Sequence, residues 1–309
     1  MNFGIHNPSW LFDSNPHEIF EEVKSKAQWA ERHGFSWFSV MDHLIQIPNV
    51  GAPDEPFMEG WTVLAALAAV TGKMRLATLV SSVGYRNPAL LAKMAAGVDI
   101  ISRGRLTLGI GAGWYRGEYD QYGWEFPERP ARRIHQMEEA VRLIKAMWTE
   151  GHAAFHGRYF RTDQAILEPK PVQKPHPPIM IGGSGEQFTL RAVARVGDAC
   201  NIFGSPEVVK GKYEILLRHC EAEGRDFEEI ERTNLTSLLL ARDEAKLKAK
   251  RERLALPDPF RGFAVTVSHA VELVGRYQDV GVQTFICSLF KNDRESMELL
   301  AGEVMPHFI

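Results

Sequence analysis

Apolar, strand-like runs alternate with helical stretches from one end of this 309-residue chain to the other, and that alternation limits the fold more than any other feature. Strands are expected at residues 2–6, 37–41, 75–80, 106–110, 179–181, 199–202, within 231–241, and at 284–287. Helical patterns lie between them, at about 17–33, 61–71, 88–101, 130–149, 186–196, after Ser205, at 243–256 and 268–279, and finally at 293–307. Pro130 opens one helix and Ser205 is placed to cap another. Parallel neighbours in a sheet require a crossover connection, usually a helix. Eight such repeats without a break in composition predict one (β/α)8 TIM barrel over residues 1–309. A doubly wound sheet would need a split or truncated strand count. No short fixed period points to a solenoid.

Composition narrows the function classes. Hydrophobic residues make up 45% and charged residues 24%, the balance of an ordinary globular protein. A net charge of −3 gives no electrostatic case for nucleic acid or an anionic membrane. Cys200, Cys220 and Cys287 are odd in number and far apart, so they read as buried thiols in a reducing compartment. No basic-then-apolar leader precedes the first strand, and the most apolar helix, 61–70, is too short to span a bilayer. A cytoplasmic protein is expected. His17, His33, His152 and His156 lack acidic or thiol partners at ligand spacing, so no metal site is expected.

Active sites of such barrels lie at the carboxyl ends of the strands. That rule selects His6, then Asp42 and His43, then Val80 to Ser82, then Gly111 to Trp114, Gly182 to Gly185, and Asn201 to Gly204. The stretch LTLGIGAGWYRGEY, residues 106–119, is the most informative. Gly109, Gly111 and Gly113 remove Cβ atoms where another molecule would approach the backbone. Their spacing approaches a dinucleotide fingerprint, but aromatic and acidic residues follow rather than a helix start. Gly182-Gly183-Ser184-Gly185 ahead of a helix is a phosphate cradle, or else a turn that needs glycine. His43 and His6 are candidates for proton transfer near neutral pH, against the alternative of structural hydrogen bonding. Asp42 and His43 are adjacent on a strand, so one faces the mouth and the other the surrounding shell. Trp114 and Tyr115 line a pocket or sit under a loop. The pair Arg132-Arg133 and the charged run 243–253 read as solvated faces. No GxSxG elbow supports a serine nucleophile.

Several ordered segments carry a resemblance: SVMDHL (39–44), LATLVSSVGYRNPALLAKMAAGVDIISRGRLTLGIGAGWYRGEYDQYG (76–123), FHGRYF (155–160), PKPVQKPHPPIMIGGSGE (169–186) and RVGDACNIFG (195–204). The chain resembles the bacterial-luciferase-like superfamily and, within it, the group using the deazaflavin coenzyme F420. The resemblance implies a bulge with a non-proline cis peptide at the end of strand three, supporting the ring at Thr78 and Leu79 with Val80 and Ser81 adjacent. It implies a cofactor phosphate held by Gly182, Gly183 and Ser184, with Gly185 beside them. It places Asp42 and His43 at the ring, with His43 near the reactive atom, and Asn87 and Pro88 close to the cofactor. His6, Gly111, Gly113 and Trp114 then complete the cofactor side of the mouth.

The implied activity is hydride transfer between F420 and a small organic substrate, with His43 donating or accepting the proton or stabilising charge on the ring. An FMN-dependent monooxygenase and a non-catalytic flavin-binding protein are the alternatives on the same fold. A separate reductase to regenerate the cofactor and a homodimer are also implied, with helix 61–70 either at the dimer contact or packed on its own barrel. One departure stands out. The sugar-phosphate dehydrogenases of the group carry a catalytic Glu where this chain has Trp114. Glu118, four residues on, does not inherit that role by position, so their phosphate-ester substrate is not carried over. The lid segments 46–59 and 260–267 hold no residues diagnostic of a substrate.

Overall fold

The computed structural model describes residues 1–10 and 15–309. Eight parallel strands close into a barrel: β1 (Asn2–Asn7), β2 (Trp37–Val40), β3 (Arg75–Thr78), β4 (Leu106–Gly111), β5 (Ile179–Gly182), β6 (Ala199–Phe203), β7 (Glu231–Ala241) and β8 (Thr284–Leu289). Each pairs with the next in order, and β8 returns to β1 with Phe3 opposite Phe285 and Ile5 opposite Cys287. This is the (β/α)8 TIM barrel that the alternation of elements predicts.

Both faces of these strands are buried, as parallel strands wrapped by helices require. Trp37, Ala77, Leu79, Met180, Ala199, Leu235 and Ile286 fill the barrel interior as one cluster. A larger apolar layer lies between strands and helices, including Phe38, Leu108, Ile181 and Phe285. The helices are α1 (Ile19–Arg32), α2 (Gly60–Val70), α3 (Pro88–Ile101), α4 (Arg116–Tyr122), α5 (Pro130–Thr149), α6 (Thr189–Val196), α7 (Pro206–Glu223), α8 (Glu244–Arg253), α9 (Val267–Asp279) and α10 (Arg294–Leu299). Asn87, Ser205 and Asp243 cap α3, α7 and α8 by accepting backbone N–H groups. Trp61, Leu64, Leu67 and Ala68 of α2 are buried in the protein's own core. The three cysteines are free and buried, and burial pushes the Cys200 thiol up to about 12. Among the described residues, no helix is long and apolar enough to cross a membrane.

The structure departs from the expected elements in five places. Residues 116–122, expected as a rim, form α4, which ends on Gly123 in the left-handed conformation. The irregular stretch after α5 holds an antiparallel hairpin, Ala153–His156 with Arg161–Ala165. A short strand, Phe263–Thr266, extends the sheet beside the end of β7, inside the expected lid 260–267. The helix expected from residue 186 starts at Thr189. The last helix holds α-helical form only to Leu299, then widens into a π turn and tightens into a 3-10 turn.

Candidate active site

The carboxyl end of β3 shapes the mouth. Its ladder to β4 stops after Ala77, the peptide between Leu79 and Val80 is cis, and pairing resumes at Ser81 and Ser82 opposite Ile110 and Gly111. The implied cis peptide therefore lies one residue beyond Thr78–Leu79. Thr78 Oγ1 donates to the Gly109 carbonyl at 3.0 Å, and Ser81 Oγ donates to Thr78 Oγ1 at 3.1 Å, which ties the bulge to its neighbour strand.

The strand-end glycines are explained by this bulge. A Cβ on Gly109 would stand 1.9 Å from the Thr78 carbonyl oxygen. On Gly111 and Gly182 it would stand 2.7 and 2.8 Å from the methyl groups of Val80. On Gly113, whose φ is +76°, it would strike Ser82 Oγ at 2.3 Å and the Tyr119 hydroxyl at 2.4 Å. What approaches these glycines closely is the protein's own bulge and Tyr119. The missing Cβ atoms are thus accounted for by packing within the protein itself.

Asp42 and His43 point to different surroundings, as alternation requires. Asp42 is fully buried, accepts both Arg86 guanidinium nitrogens at 2.7 and 2.9 Å, and accepts Trp61 Nε1 at 3.1 Å. Burial pushes its carboxyl pKa up, against the opposing pull of Arg86. Arg86 also pairs with Glu59, the residue that caps α2. His43 lies at the mouth, its Nδ1 2.6 Å from Glu118 Oε2. Glu118 comes from α4, is fully buried, and also accepts the Leu44 N–H at 2.6 Å and the Tyr85 hydroxyl. The rings of Tyr85, Trp114 and Tyr115 stand edge-on to His43, with centroids 6.3, 6.1 and 6.4 Å away. Trp114 is 54% exposed and stacks on Tyr115.

His6 behaves differently from the expected proton carrier. It is buried with Nδ1 3.0 Å from Ser39 Oγ, and burial, reinforced by the Lys26 charge, pushes its pKa down to about 3. The ring is neutral near pH 7 and serves as a hydrogen-bonding wall. Lys26 itself is buried, donating to Asn7 Oδ1 at 2.9 Å and Asn292 Oδ1 at 2.8 Å. Asn87 Oδ1 accepts the Ala89 N–H at 2.9 Å, which commits that side chain to capping α3.

At the end of β5, Gly183 has a φ of +128°, and its N–H donates to the Asn201 carbonyl. The N–H groups of Ser184 and Gly185 meet no acceptor among the described residues. A Cβ on Gly185 would stand 2.9 Å from Thr189 Oγ1. Because α6 starts only at Thr189, the loop itself offers the donors and the helix terminus lies beyond it.

Glu118, Tyr85 and Arg86 are the site residues that the sequence-based selection missed. A signal for Glu118 was present: RGEYDQYG ends on a glycine one residue past a polar-aromatic turn, which is how a helix carboxyl end reads.

The profile of the luciferase-like monooxygenase family matches residues 1–284. The chain belongs to that family. An uncharacterized protein of Mycobacterium tuberculosis is 33% identical over 186 residues, covering 56% of this chain and 64% of the relative. The FMNH2-dependent dimethylsulfone monooxygenase of Pseudomonas putida is 30% identical over 267 residues, covering 85% of this chain and 68% of that protein. The chain thus spans about two-thirds of the length of these curated relatives. Among solved luciferase-like folds, a monooxygenase from Streptomyces bottropensis superposes with a TM-score of 0.84 at 20% identity, covering all of both chains. The coenzyme F420-dependent tetrahydromethanopterin reductase from Methanopyrus kandleri superposes with a TM-score of 0.79 at 20% identity, covering 100% of this chain and 99% of that one. At that identity the two structures bear on the fold alone.

Proposed function

We propose that this chain is an F420-dependent oxidoreductase that moves a hydride between the deazaflavin and a small organic substrate. The observation that carries the reading is His43, held against Glu118 at the carboxyl-terminal mouth of a barrel whose third strand ends in a cis-peptide bulge. The residues fit such a cofactor. Leu79 to Ser81 form the ledge under the ring, Gly111 and Gly182 seat that ledge against Val80, Gly113 packs beside it against Ser82 and Tyr119, and Trp114 stands exposed at the rim. Asp42, Thr78 and His6 hold the ledge and wall in place from inside. The free N–H groups of Ser184 and Gly185, with Gly182 and Gly183 beside them, offer a phosphate its donors.

When bound, the deazaflavin supplies two-electron hydride exchange, and the protein supplies orientation, exclusion of water and proton handling. Reduction of a carbonyl by hydride leaves an alkoxide that needs a proton, and the reverse reaction must remove one. His43 is the side chain placed for this, a contribution typically worth ~10²–10⁴-fold in rate. The rings of Tyr85, Trp114 and Tyr115 form an apolar surround for an uncharged organic substrate.

A second reading, an FMN-dependent monooxygenase fed by a separate reductase, is favoured by the Pseudomonas putida relative, whose name states FMNH2 dependence. Titration of the purified protein with F420 and with FMN, followed by fluorescence quenching, separates the two. Tight F420 binding together with turnover of ketones or secondary alcohols supports the proposal. Tight binding of FMN alone overturns it, and tight binding without any turnover across the panel returns the non-catalytic reading. A homodimer and a cytoplasmic location belong to the same proposal, resting on the resemblance. Sedimentation of the purified chain as a monomer would remove the dimer.

A further inference from the structure

We propose that Glu118 is a positioning residue that fixes His43 as its Nδ1–H tautomer and leaves Nε2 as the nitrogen that faces substrate. The inference rests on the reading of His43 as the proton-handling residue, but its geometry stands apart from the cofactor. The Glu118 carboxyl group has no exposure to solvent, so each of its lone pairs must find a donor within the protein. Three groups converge on it. The Leu44 peptide N–H can only donate, and it points at Oε1. The Tyr85 hydroxyl donates to Oε2, and burial together with Glu118 itself pushes the Tyr85 ionisation far up, so that the phenol keeps its proton. His43 Nδ1 is the third partner, at 2.6 Å from Oε2.

A carboxylate is acceptor-only, so a neutral His43 ring must carry its proton on Nδ1 to make this bond. Nε2 then holds the lone pair. It has no protein partner among the described residues, and it is not among the buried nitrogens cut off from solvent. The physical logic is that of a buried carboxylate orienting an imidazole for acid–base work, in which the carboxylate sets tautomer and ring direction without touching substrate. Arg86 is engaged by Asp42 and Glu59, Arg116 by Asp120 and Glu128, and Arg133 by backbone carbonyls, none of them by Glu118. His43 is therefore the cation that Glu118 can face when the ring is protonated.

The chain arrives at this arrangement by a route that position along β4 conceals. Glu118 follows Trp114 by four residues, and Gly113, in its left-handed conformation, turns the chain so that α4 folds back over the mouth. Tyr119, one residue on, locks the turn by a 2.8 Å bond to Ser82 Oγ. Glu118 thereby reaches His43 from above the strand rather than from its end.

Nitrogen-15 NMR of histidine-labelled protein, without any cofactor, tests this directly, with a His43→Gln variant assigning the signal among the eleven histidines. At a pH where the ring is neutral, wild-type His43 should show a protonated Nδ1 and a bare Nε2. Glu118→Gln, which can turn an amide N–H toward the ring, should shift His43 toward the opposite tautomer, and Glu118→Asp should retain the wild-type pattern in part. Where turnover is measurable, Glu118→Gln should lower kcat by ~10²-fold with KM little changed. A wild-type ring with its proton on Nε2 overturns the proposal without any variant having to fold. So does a Glu118→Gln protein of native circular dichroism whose His43 signals and kcat are unchanged. Failure of the F420 assignment would leave the tautomer result standing, so the two ideas fail separately.

Discussion

Lys26 offers a test of the site's inner wall that reads out in stability rather than activity. The side chain is 9% exposed, its two protein acceptors are neutral amide oxygens, and burial pushes its pKa down from 10.5 to about 7. Because the folded-state pKa is depressed, the unfolded chain holds this proton more tightly than the folded one between about pH 7 and 10.5. Stability must therefore rise with pH through that window, by ~1.4 kcal/mol per pH unit for one proton. From pH 7.0 to 8.5 the gain is on the order of 2 kcal/mol, which for a chain of this length is a rise in Tm of roughly 3 °C. His6 acts elsewhere. With a folded pKa of about 3 against 6.5, it destabilises the fold only as pH falls below about 6.5. The buried Cys200, Cys220 and Cys287 thiols act in the opposite sense to Lys26 as unfolded thiols ionise toward pH 8.5, but they do so equally in a variant lacking Lys26, so its effect is read as the difference between the two proteins. Lys26→Met removes the titrating group. Its absolute stability mixes relief of the buried charge with loss of the bonds to Asn7 and Asn292, but between pH 7.0 and 8.5 the wild type's Tm should gain roughly 3 °C on the variant's. Thermal melts of both proteins at pH 7.0, 7.5, 8.0 and 8.5 provide the measurement. Parallel curves would refute the reasoning, because they would mean that Lys26 holds the same proton in both states.

Two further perturbations address the ledge and the rim. Gly182→Ala puts a Cβ 2.8 Å from a Val80 methyl group, so it should cost roughly 1–3 kcal/mol of overpacking and weaken cofactor binding. Val80→Ala should recover part of that loss in the double variant, and additive melting shifts would show that the two side chains do not meet. Trp114→Ala removes an exposed ring, so its Tm should stay within about 0.5 kcal/mol equivalent of wild type while KM for an apolar substrate rises. An unchanged KM would remove Trp114 from the substrate surround.

The barrel was legible because burial on both faces forces apolar strands, and the crossover between parallel neighbours forces helices. Strands and helices therefore punctuate the chain clearly, and both α3 and α5 begin and end where their proline and apolar patterns place them. What stayed hidden lacks that periodicity. The hairpin after α5 has mostly exposed residues, and the strand at 263–266 only extends one end of β7. Neither carries an alternation strong enough to separate it from loop.

The site divides along the same physical line. Strand ends could be enumerated, so His43, Asp42 and the β5 loop were placed by topology alone. The glycines were noticed for the right reason, a close approach, but sequence names only the missing Cβ and never the atom that comes near. Those atoms belong to Thr78 at Gly109, to Val80 at Gly111, and to Ser82 and Tyr119 at Gly113. Glu118 was hidden for a related cause. Counting along the chain set it four residues beyond Trp114, where it does not inherit the strand-end role by position, whereas a glycine of positive φ and a seven-residue helix bring it onto His43. Residues that act through one another across a turn are thus the ones that chain order conceals. The path that brings Glu118 to His43 runs through Gly113, where φ is +76° and a Cβ would stand 2.3 Å from Ser82 Oγ and 2.4 Å from the Tyr119 hydroxyl, so a side chain there would strain the turn that leads into α4.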